Sequence, residues 1–315
     1  MYRLVFFIWY KLPKLFLIPI LPLSLIYFIV IFTRKYLLTY VFSRYTSSTN
    51  LIIIGNLNIG GSGKTPFTVW LANYLHSKEK KIAIISSGYK SSVTLPKEIN
   101  SESKANEVGD EALLLHYKTN AIVVSSKNRV KSTQYLSDKN VEYIIHDDGL
   151  QHYQLSRNFE FIITKYKNLG DRFLLPCGPL REPKFFHPDA IFVYSNYYDN
   201  KYPGFHTMLT QIRSGYDSQV YPLNDSRFSK SHLVTAIADD TDLKNNLRDY
   251  HANIKFLSFP DHHEFTYSDI PKTEEPILVT EKDFTKLKEF NFKNIYILEQ
   301  SVIPNDKLID IIEKF

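Results

Sequence analysis

The pattern of apolar and polar positions divides the chain into three parts. Leu15–Phe32 runs eighteen residues without a charge, with Lys11 and Lys14 before it and Arg34 and Lys35 after it. As one helix this stretch would span roughly 27 Å at about 1.5 Å per residue, close to the hydrocarbon thickness of a bilayer. Pro19 and Pro22 predict a kink or a break. The run is long for a signal-peptide core, and no small-residue cleavage site precedes the aromatic-rich stretch Tyr36–Phe42. A membrane anchor is therefore favoured over a signal peptide or a buried core helix. Positive charge on both flanks leaves open whether it spans the bilayer or lies at the cytoplasmic leaflet.

A polar link, Ser43–Asn50, leads into a regular alternation. Leu51–Ile54, Ile82–Ile85, Ala121–Val124 and Tyr143–Ile145 predict strands, and Lys64–Ser77, Gly109–Tyr117 and Arg129–Leu136 predict helices. Strands alternating with helices predict a parallel sheet covered on both faces, which short continuous β-branched runs suit. After Asp148 the rhythm loosens. Phe159–Thr164 and Ala190–Tyr194 predict strands on either side of a proline-rich loop, Leu175–Pro183. From Leu233 the alternation resumes, with strands at Leu233–Ala236, Ile254–Phe259, Ile277–Thr280 and Ile295–Leu298. Helices are predicted at Thr241–Asp249, from Glu281 and from Pro304. The expected architecture is α/β. A P-loop NTPase-type parallel sheet flanked by helices occupies 43–165, and a second, smaller α/β unit occupies 166–315 and closes over the active site. An N-terminal apolar membrane helix lies within 1–42.

Composition narrows the function classes. The 315 residues are 44% hydrophobic and 23% charged, ordinary for a folded chain. A net charge of +5 fits an anionic partner without choosing among nucleotide, acidic lipid and nucleic acid. The basic residues are dispersed and no recognition motif is present, which argues against nucleic acid. The single cysteine, Cys177, excludes an internal disulfide framework and a multi-cysteine metal site.

The most specific signal is Asn58-Ile-Gly-Gly-Ser-Gly-Lys-Thr65, directly after a predicted strand and opening a helix. Its glycines let backbone N–H groups face a phosphate, and the helix terminus adds positive charge. Lys64 can reach the β- and γ-phosphates of a nucleotide, and the Thr65 hydroxyl can ligand Mg²⁺. Asn58 stands where the strict pattern has glycine; asparagine tolerates a left-handed backbone, so the turn stays possible. Tyr143-Ile-Ile-His-Asp-Asp148 is an apolar strand ending in acid, the place of a Walker B aspartate, although Asp-Asp-Gly also suits a plain turn. The pattern does not separate Asp147 from Asp148.

The remaining candidates are less specific. Asp110 and Glu111 open a predicted helix, where capping explains them as readily as proton abstraction does. His262 is read first as structural. Arg181 and Glu182, in the proline loop, fit either a phosphate clamp or an exposed ion pair. Thr280-Glu-Lys-Asp283 faintly resembles a guanine-recognition motif but is better read as a helix cap.

Taken in order, these segments resemble the tetraacyldisaccharide 4′-kinases, which phosphorylate the lipid A precursor disaccharide with ATP. The resemblance rests on Gly55–Pro66, Gly109–Glu111, Asp147-Asp-Gly-Leu-Gln-His152, Leu174–Pro183, Phe259–His263 and Val279–Asp283. It implies transfer of the γ-phosphoryl of ATP to the 4′-hydroxyl of the lipid disaccharide 1-phosphate, forming lipid IVA. It also implies Mg²⁺, a monomer, and an N-terminal helix docked on the cytoplasmic face of the inner membrane. Residue by residue, Asn58, Ile59, Gly60, Gly61, Ser62, Gly63, Lys64 and Thr65 match the ATP loop. Asp110 matches the proposed base and His262 its partner. Thr65, Asp147 and Asp148 fall at the metal, and Tyr89, Glu111, His152, Arg181 and Glu182 on the substrate side. One segment departs: the family usually reads Ser-Arg-Gly-Tyr-Gly-Arg where this chain has Ser86-Ser-Gly-Tyr-Lys-Ser91. Ser87 replaces an arginine and Lys90 supplies one charge nearby, a change that bears on substrate contact rather than on ATP.

Two other classes compete. A GTPase or ATPase driving conformational change or metal insertion, of the deviant type, would carry a lysine where this chain has Ile59. A lipid-binding scaffold would leave the Lys-Thr loop and the strand-end acids without a purpose.

Overall fold

The computed structural model describes Trp9 and residues 14–88, 93–165, 173–251 and 253–315. Strands β1 (Asn50–Gly55), β2 (Ile82–Ser86), β3 (Lys97–Glu98), β4 (Ile122–Ser125), β5 (Tyr143–His146), β6 (Phe159–Lys165) and β7 (Ile191–Ser195) come first. Then follow β8 (Gly204–Ser214), β9 (Val220–Tyr221), β10 (Lys230–Thr235), β11 (Asn253–Ser258), β12 (Ile277–Thr280) and β13 (Ile295–Pro304). The helices are α1 (Leu21–Tyr36), α2 (Lys64–Ser77), α3 (Ala105–Val108), α4 (Asp110–Lys118), α5 (Arg129–Ser137), α6 (Thr241–Tyr250), α7 (Glu281–Leu287) and α8 (Asp306–Ile312).

The strands form one sheet in the order β11-β10-β12-β13-β8-β7-β6-β1-β5-β2-β4-β3, with β9 beside β8. Pairing is parallel except at β3, at β9 and at the seam between β8 and β13. Along β1, alternate residues feed opposite layers. Ile52 and Ile54 pack with Phe67 and Leu71 of α2, while Leu51 packs with Leu136 of α5 and Leu155. Burial on both faces is why these strands carry unbroken apolar runs. Helix α2 turns Phe67, Leu71 and Leu75 inward at four-residue spacing, the helical period.

The long seam is where sequence pattern and structure part. β8, eleven residues long, lies in the region that lacked a predicted strand, because its buried and open positions do not alternate cleanly. It pairs antiparallel with β13 from Ser214 opposite Tyr296 to Phe205 opposite Pro304, with one irregularity at Glu299/Gln300. β13 accordingly runs six residues past the predicted end at Leu298. The last helix begins after Asn305, whose side chain accepts from Leu308 N at 3.1 Å, rather than at Pro304.

At the N-terminal side, the prolines do not interrupt the main helix. Pro19 lies in a 3₁₀ turn, Lys14–Ile20, and Pro22 sits in the first turn of α1, where its missing N–H costs little. Leu17–Val41 is a helical stretch of 25 residues, long and apolar enough by composition to cross a membrane. One stripe of it is docked on the protein. Ser24 Oγ donates to Leu174 O at 3.1 Å, Tyr27 Oη donates to Arg181 O at 2.8 Å, and Phe28 packs against Phe185 and Phe186. The other faces stay open: Leu25, Ile26, Ile29 and Val30 are each more than half exposed.

Candidate active site

The loop Asn58–Thr65 leaves β1 and enters α2. Its left-handed residues are Gly60 (φ 117°) and Gly63 (φ 87°). Asn58 needs no such conformation. It pairs with Leu180 of the proline loop in an antiparallel bridge, and Ile59 N donates to Pro179 O at 2.8 Å. That is how the loop does without the first glycine of the strict pattern: the neighbouring segment braces an extended backbone there.

The turn after β5 folds back onto the same loop. Asp148 is left-handed (φ 51°), and Gly149 N donates to Ile54 O at 2.9 Å. A Cβ on Gly55 would lie 2.5 Å from Leu150 Cβ, so only glycine lets the turn approach this closely. The approach separates the two aspartates. Asp147 is buried and accepts from Thr65 Oγ1 at 3.3 Å and Thr68 Oγ1 at 2.9 Å. Asp148, partly open, lies 3.6 Å from Lys64 Nζ and 3.4 Å from an Arg181 nitrogen. Lys64 Nζ also donates to Asn56 Oδ1 at 3.2 Å, and Arg181 donates to Asn56 O at 2.8 Å. Burial pushes the Asp147 carboxyl up to about 6, with Glu111 and Asp148 adding repulsion that Lys64 only partly offsets. Burial would raise Asp148 too, but Lys64, Arg181 and Arg129 outweigh it and hold that carboxyl below its usual range.

A second wall faces this loop across a cavity of about 790 Å³. Gly109 (φ 95°) turns the chain into α4, so Asp110 stands at its N-terminus and accepts from Glu111 N at 2.9 Å. His262, left-handed at φ 58°, brings Nδ1 to 3.0 Å from Asp110 Oδ2. Lys286 Nζ lies 3.0 Å from the same oxygen. Burial alone would raise Asp110, but the His262 hydrogen bond and the Lys282 and Lys286 ammonium groups hold it well below the carboxylate range. Lys282 Nζ sits among Glu111 Oε1 (3.2 Å), Asp261 Oδ1 (3.3 Å) and His262 Nε2 (3.3 Å). The segment is held in place by Asp283, which is buried and accepts from Thr235 Oγ1, Thr280 Oγ1 and Ala236 N. Thr280 caps α7, accepting from Asp283 N at 3.1 Å, as the capping reading expects.

The predicted residues are thus divided. Asn58–Thr65, Asp148, Arg181, Glu111 and His262 line the cavity; Asp147 lies beneath Thr65 and Asp110 behind His262. Glu182 and His152 do not line it. Glu182 is buried, held by the Tyr153 hydroxyl and by His187 Nε2 at 3.0 Å. His152 lies in the turn beyond Asp148, and burial and nearby arginines lower its imidazole to about 4. Tyr89 and Lys90 fall outside the described residues. Pattern reasoning missed Lys282 and Lys286. They lie four apart on α7, a spacing that puts both on one face, and that face meets Asp110 and His262.

The family model of the tetraacyldisaccharide-1-P 4′-kinases matches residues 16–315. A tetraacyldisaccharide 4′-kinase of Legionella pneumophila (strain Lens) is 34% identical over 304 residues, covering 91% of this chain and 90% of the relative. That of Pseudoalteromonas translucida is 30% identical over 314 residues, covering 96% and 93%. The crystal structure of LpxK from Aquifex aeolicus in complex with ATP superposes with a TM-score of 0.77 at 30% identity, covering 93% of this chain and 98% of that one. With match, identity and fold agreeing over nearly the whole length, the chain belongs to the tetraacyldisaccharide-1-phosphate 4′-kinase family.

Proposed function

We propose that this chain transfers the γ-phosphoryl group of ATP to the 4′-hydroxyl of a tetraacylated disaccharide 1-phosphate. The observation that carries the reading is the cavity itself. One wall is a phosphate loop with Lys64 and Thr65, and the other presents His262 backed by Asp110. In the reaction the bond between the γ-phosphorus and the β,γ-bridging oxygen breaks, and a bond from the 4′-oxygen to that phosphorus forms. ADP leaves, and the hydroxyl proton passes to the Asp110–His262 pair. Lys64 and the loop N–H groups stabilise charge on the leaving phosphate.

The residues fit a bound Mg²⁺. Thr65 and Asp147 would hold it, because their oxygens already meet and the buried Asp147 carboxylate lacks a full countercharge. Among the described residues no group of three or more acidic, histidine or cysteine side chains forms a cage, which suits a cation that takes its other ligands from nucleotide and water. When bound, Mg²⁺ neutralises the phosphate oxygens. Asp148 then serves to orient Lys64 and Arg181.

The division into a nucleotide unit over 43–165 and a closing unit over 166–315 has partial support: the phosphate loop comes from the first half and His262 and Lys282 from the second, while Asp110 and Glu111 on the far wall and Arg181 on the near wall cross it. The helix α1 supports work at the inner leaflet. Its docked stripe is tied to the protein from Ser24 to Lys35, and its apolar outer face is left for lipid, so it lies on the cytoplasmic surface rather than crossing. The protein acts as a monomer, supplying both walls from one chain. The test is phosphate transfer from γ-labelled ATP to the lipid precursor in detergent micelles with Mg²⁺. Labelled lipid is expected; free phosphate with no labelled lipid would overturn the reading in favour of a hydrolase.

A further inference from the structure

The docked stripe of α1 runs past the rim of the cavity. Tyr27 Oη donates to Arg181 O at 2.8 Å, and Arg34, about two helical turns further along the same face, donates to Gln151 O at 3.4 Å. Arg181 and Asp148 are lining residues, so the stripe between Tyr27 and Arg34 follows their outer edge. Burial is the main cause that lowers the His152 imidazole, followed by Arg129 and then Arg34, which places the Arg34 guanidinium within electrostatic reach of that ring. Arg34 therefore stands on the docked side of the helix, toward the turn at the cavity's edge, and not on the face left to lipid. The cations around it are committed. Lys35 turns inward, donates to Phe186 O and lies 4.4 Å from that ring's centroid. Arg157 pairs with Glu160 at 3.2 Å, and Arg181 gives its donors to Asn56 and Asp148. Arg34 is exposed, its bond to a carbonyl is long, and among the described residues no carboxylate pairs with it. A guanidinium carries five N–H donors, so most of this fork is open.

The position of the fork selects its ligand. The acceptor enters from the lipid surface with its acyl chains behind it, and its 4′-hydroxyl must reach the phosphate loop and His262. Its negative charge is the phosphate at the opposite end of the disaccharide, which is left at the rim on the lipid side, where Arg34 stands. We propose that Arg34 binds the 1-phosphate of the acceptor lipid at this rim. A planar guanidinium meets a phosphate through two parallel N–H···O bonds, so the contact selects 1-phosphorylated over unphosphorylated acceptors and fixes which end of the disaccharide faces the nucleotide. A bulk phospholipid headgroup offers the same phosphate chemistry, but it would be met by the outer face of α1, and Arg34 is turned to the other side. The inference rests on the kinase reading and adds a specificity-determining residue to it.

The experiment compares two acceptors, the tetraacyl disaccharide with and without its 1-phosphate, in nonionic detergent micelles free of phospholipid. Transfer from ATP is measured for wild type, Arg34→Gln and Arg34→Lys. Wild type is expected to favour the phosphorylated acceptor by about tenfold in kcat/KM, the scale of one charge-assisted contact. The Gln variant should lose that preference through a raised KM for the phosphorylated acceptor, with a far smaller effect on the unphosphorylated one, and the Lys variant should keep part of it. A wild type without the preference, or a Gln variant that retains it, overturns the proposal. An equal loss on both acceptors also overturns it and assigns Arg34 to the seating of α1; a loss that appears only with anionic phospholipid added overturns it in favour of bulk headgroups. Binding of each acceptor without ATP, followed through a fluorescent acyl label, reads the same discrimination without turnover. There the Gln variant should bind the phosphorylated acceptor about tenfold more weakly than wild type, and equal binding overturns the proposal. Failure of the kinase reading appears separately, as a wild type that phosphorylates neither acceptor, and the binding comparison then decides the Arg34 contact by itself.

Discussion

The two walls of the cavity are built in opposite ways. The phosphate-loop wall is nearly contiguous: eight residues from Asn58 to Thr65, braced by the turn at Asp147–Asp148. The far wall is assembled from α4, the 261–263 turn and α7, and its central contact joins residues 152 apart in sequence. The first wall works through backbone N–H groups and a helix terminus, which local sequence dictates. The second works through side chains that only the sheet brings together. Charge follows the same split. Asp147 on the near wall is a buried carboxylate short of countercharge, whereas Asp110 on the far wall is surrounded by donors.

The largest expected effect breaks the near wall. Lys64→Ala should lower turnover by roughly 10²–10³-fold or more, because one cation or donor facing the transferred group is commonly worth that much. Near-normal phosphoryl transfer in that variant would remove the loop from the chemistry.

The contrast in charge can be sharpened by pH. Asp147 has a folded value raised from 3.8 to about 6, so the stability associated with its neutral form is present below the unfolded value and lost as pH rises through 6. The loss corresponds to about 2–3 kcal/mol at roughly 1.4 kcal/mol per pH unit. Asp110 is lowered, so its stabilisation is present above 3.8 and lost only as pH falls below that. Thermal unfolding of the nucleotide-free protein between pH 4 and 8 should therefore respond differently to two substitutions. Asp147→Asn should flatten the decline between pH 4 and 6, while Asp110→Asn should destabilise by a nearly constant amount across the range. Identical pH profiles for the two variants would contradict the assigned environments.

Smaller effects concern α1, which touches the near wall through Arg181. Ile29→Asp places a charge on the open apolar face and should weaken flotation of the full chain with anionic phospholipid vesicles, leaving its melting temperature unchanged. Tyr27→Phe removes the hydroxyl that donates to Arg181 O and should cost about 1 kcal/mol in unfolding. A larger effect on vesicle binding from Tyr27→Phe than from Ile29→Asp would reverse the assignment of the two faces.

Legibility in the sequence followed the same division. The first strands and α2 were readable because each carries its own period, and α2 was predicted with its observed bounds. The phosphate loop was readable because its chemistry is backbone chemistry. The seam strand β8 was not, since its burial is set by β13 and β9 rather than by alternation. Asp110 and His262 were visible from their residues only as a cap and a structural histidine; the family resemblance, not spacing, paired them. Lys282 lies inside Thr280–Asp283, a motif that the helix cap already accounts for, so the pattern carries no signal for its contact with Glu111 and His262. Glu182 stood on the substrate side through the family resemblance, and the loop turns it inward toward His187 instead. Asp147 and Asp148, adjacent in sequence, are turned into different surroundings by the left-handed backbone of Asp148 itself, which no pattern specifies.

The most direct test of the account asks whether the far wall acts as one unit in transfer. Phosphorylation of the lipid precursor from γ-labelled ATP would be measured for wild type, Asp110→Asn, His262→Gln and the double variant. The account predicts labelled lipid with wild type, a loss of about 10²–10⁴-fold in each single variant, and no further loss in the double. Losses that multiply, or an Asp110→Asn enzyme as fast as wild type, would contradict the claim that the two residues accept the proton together.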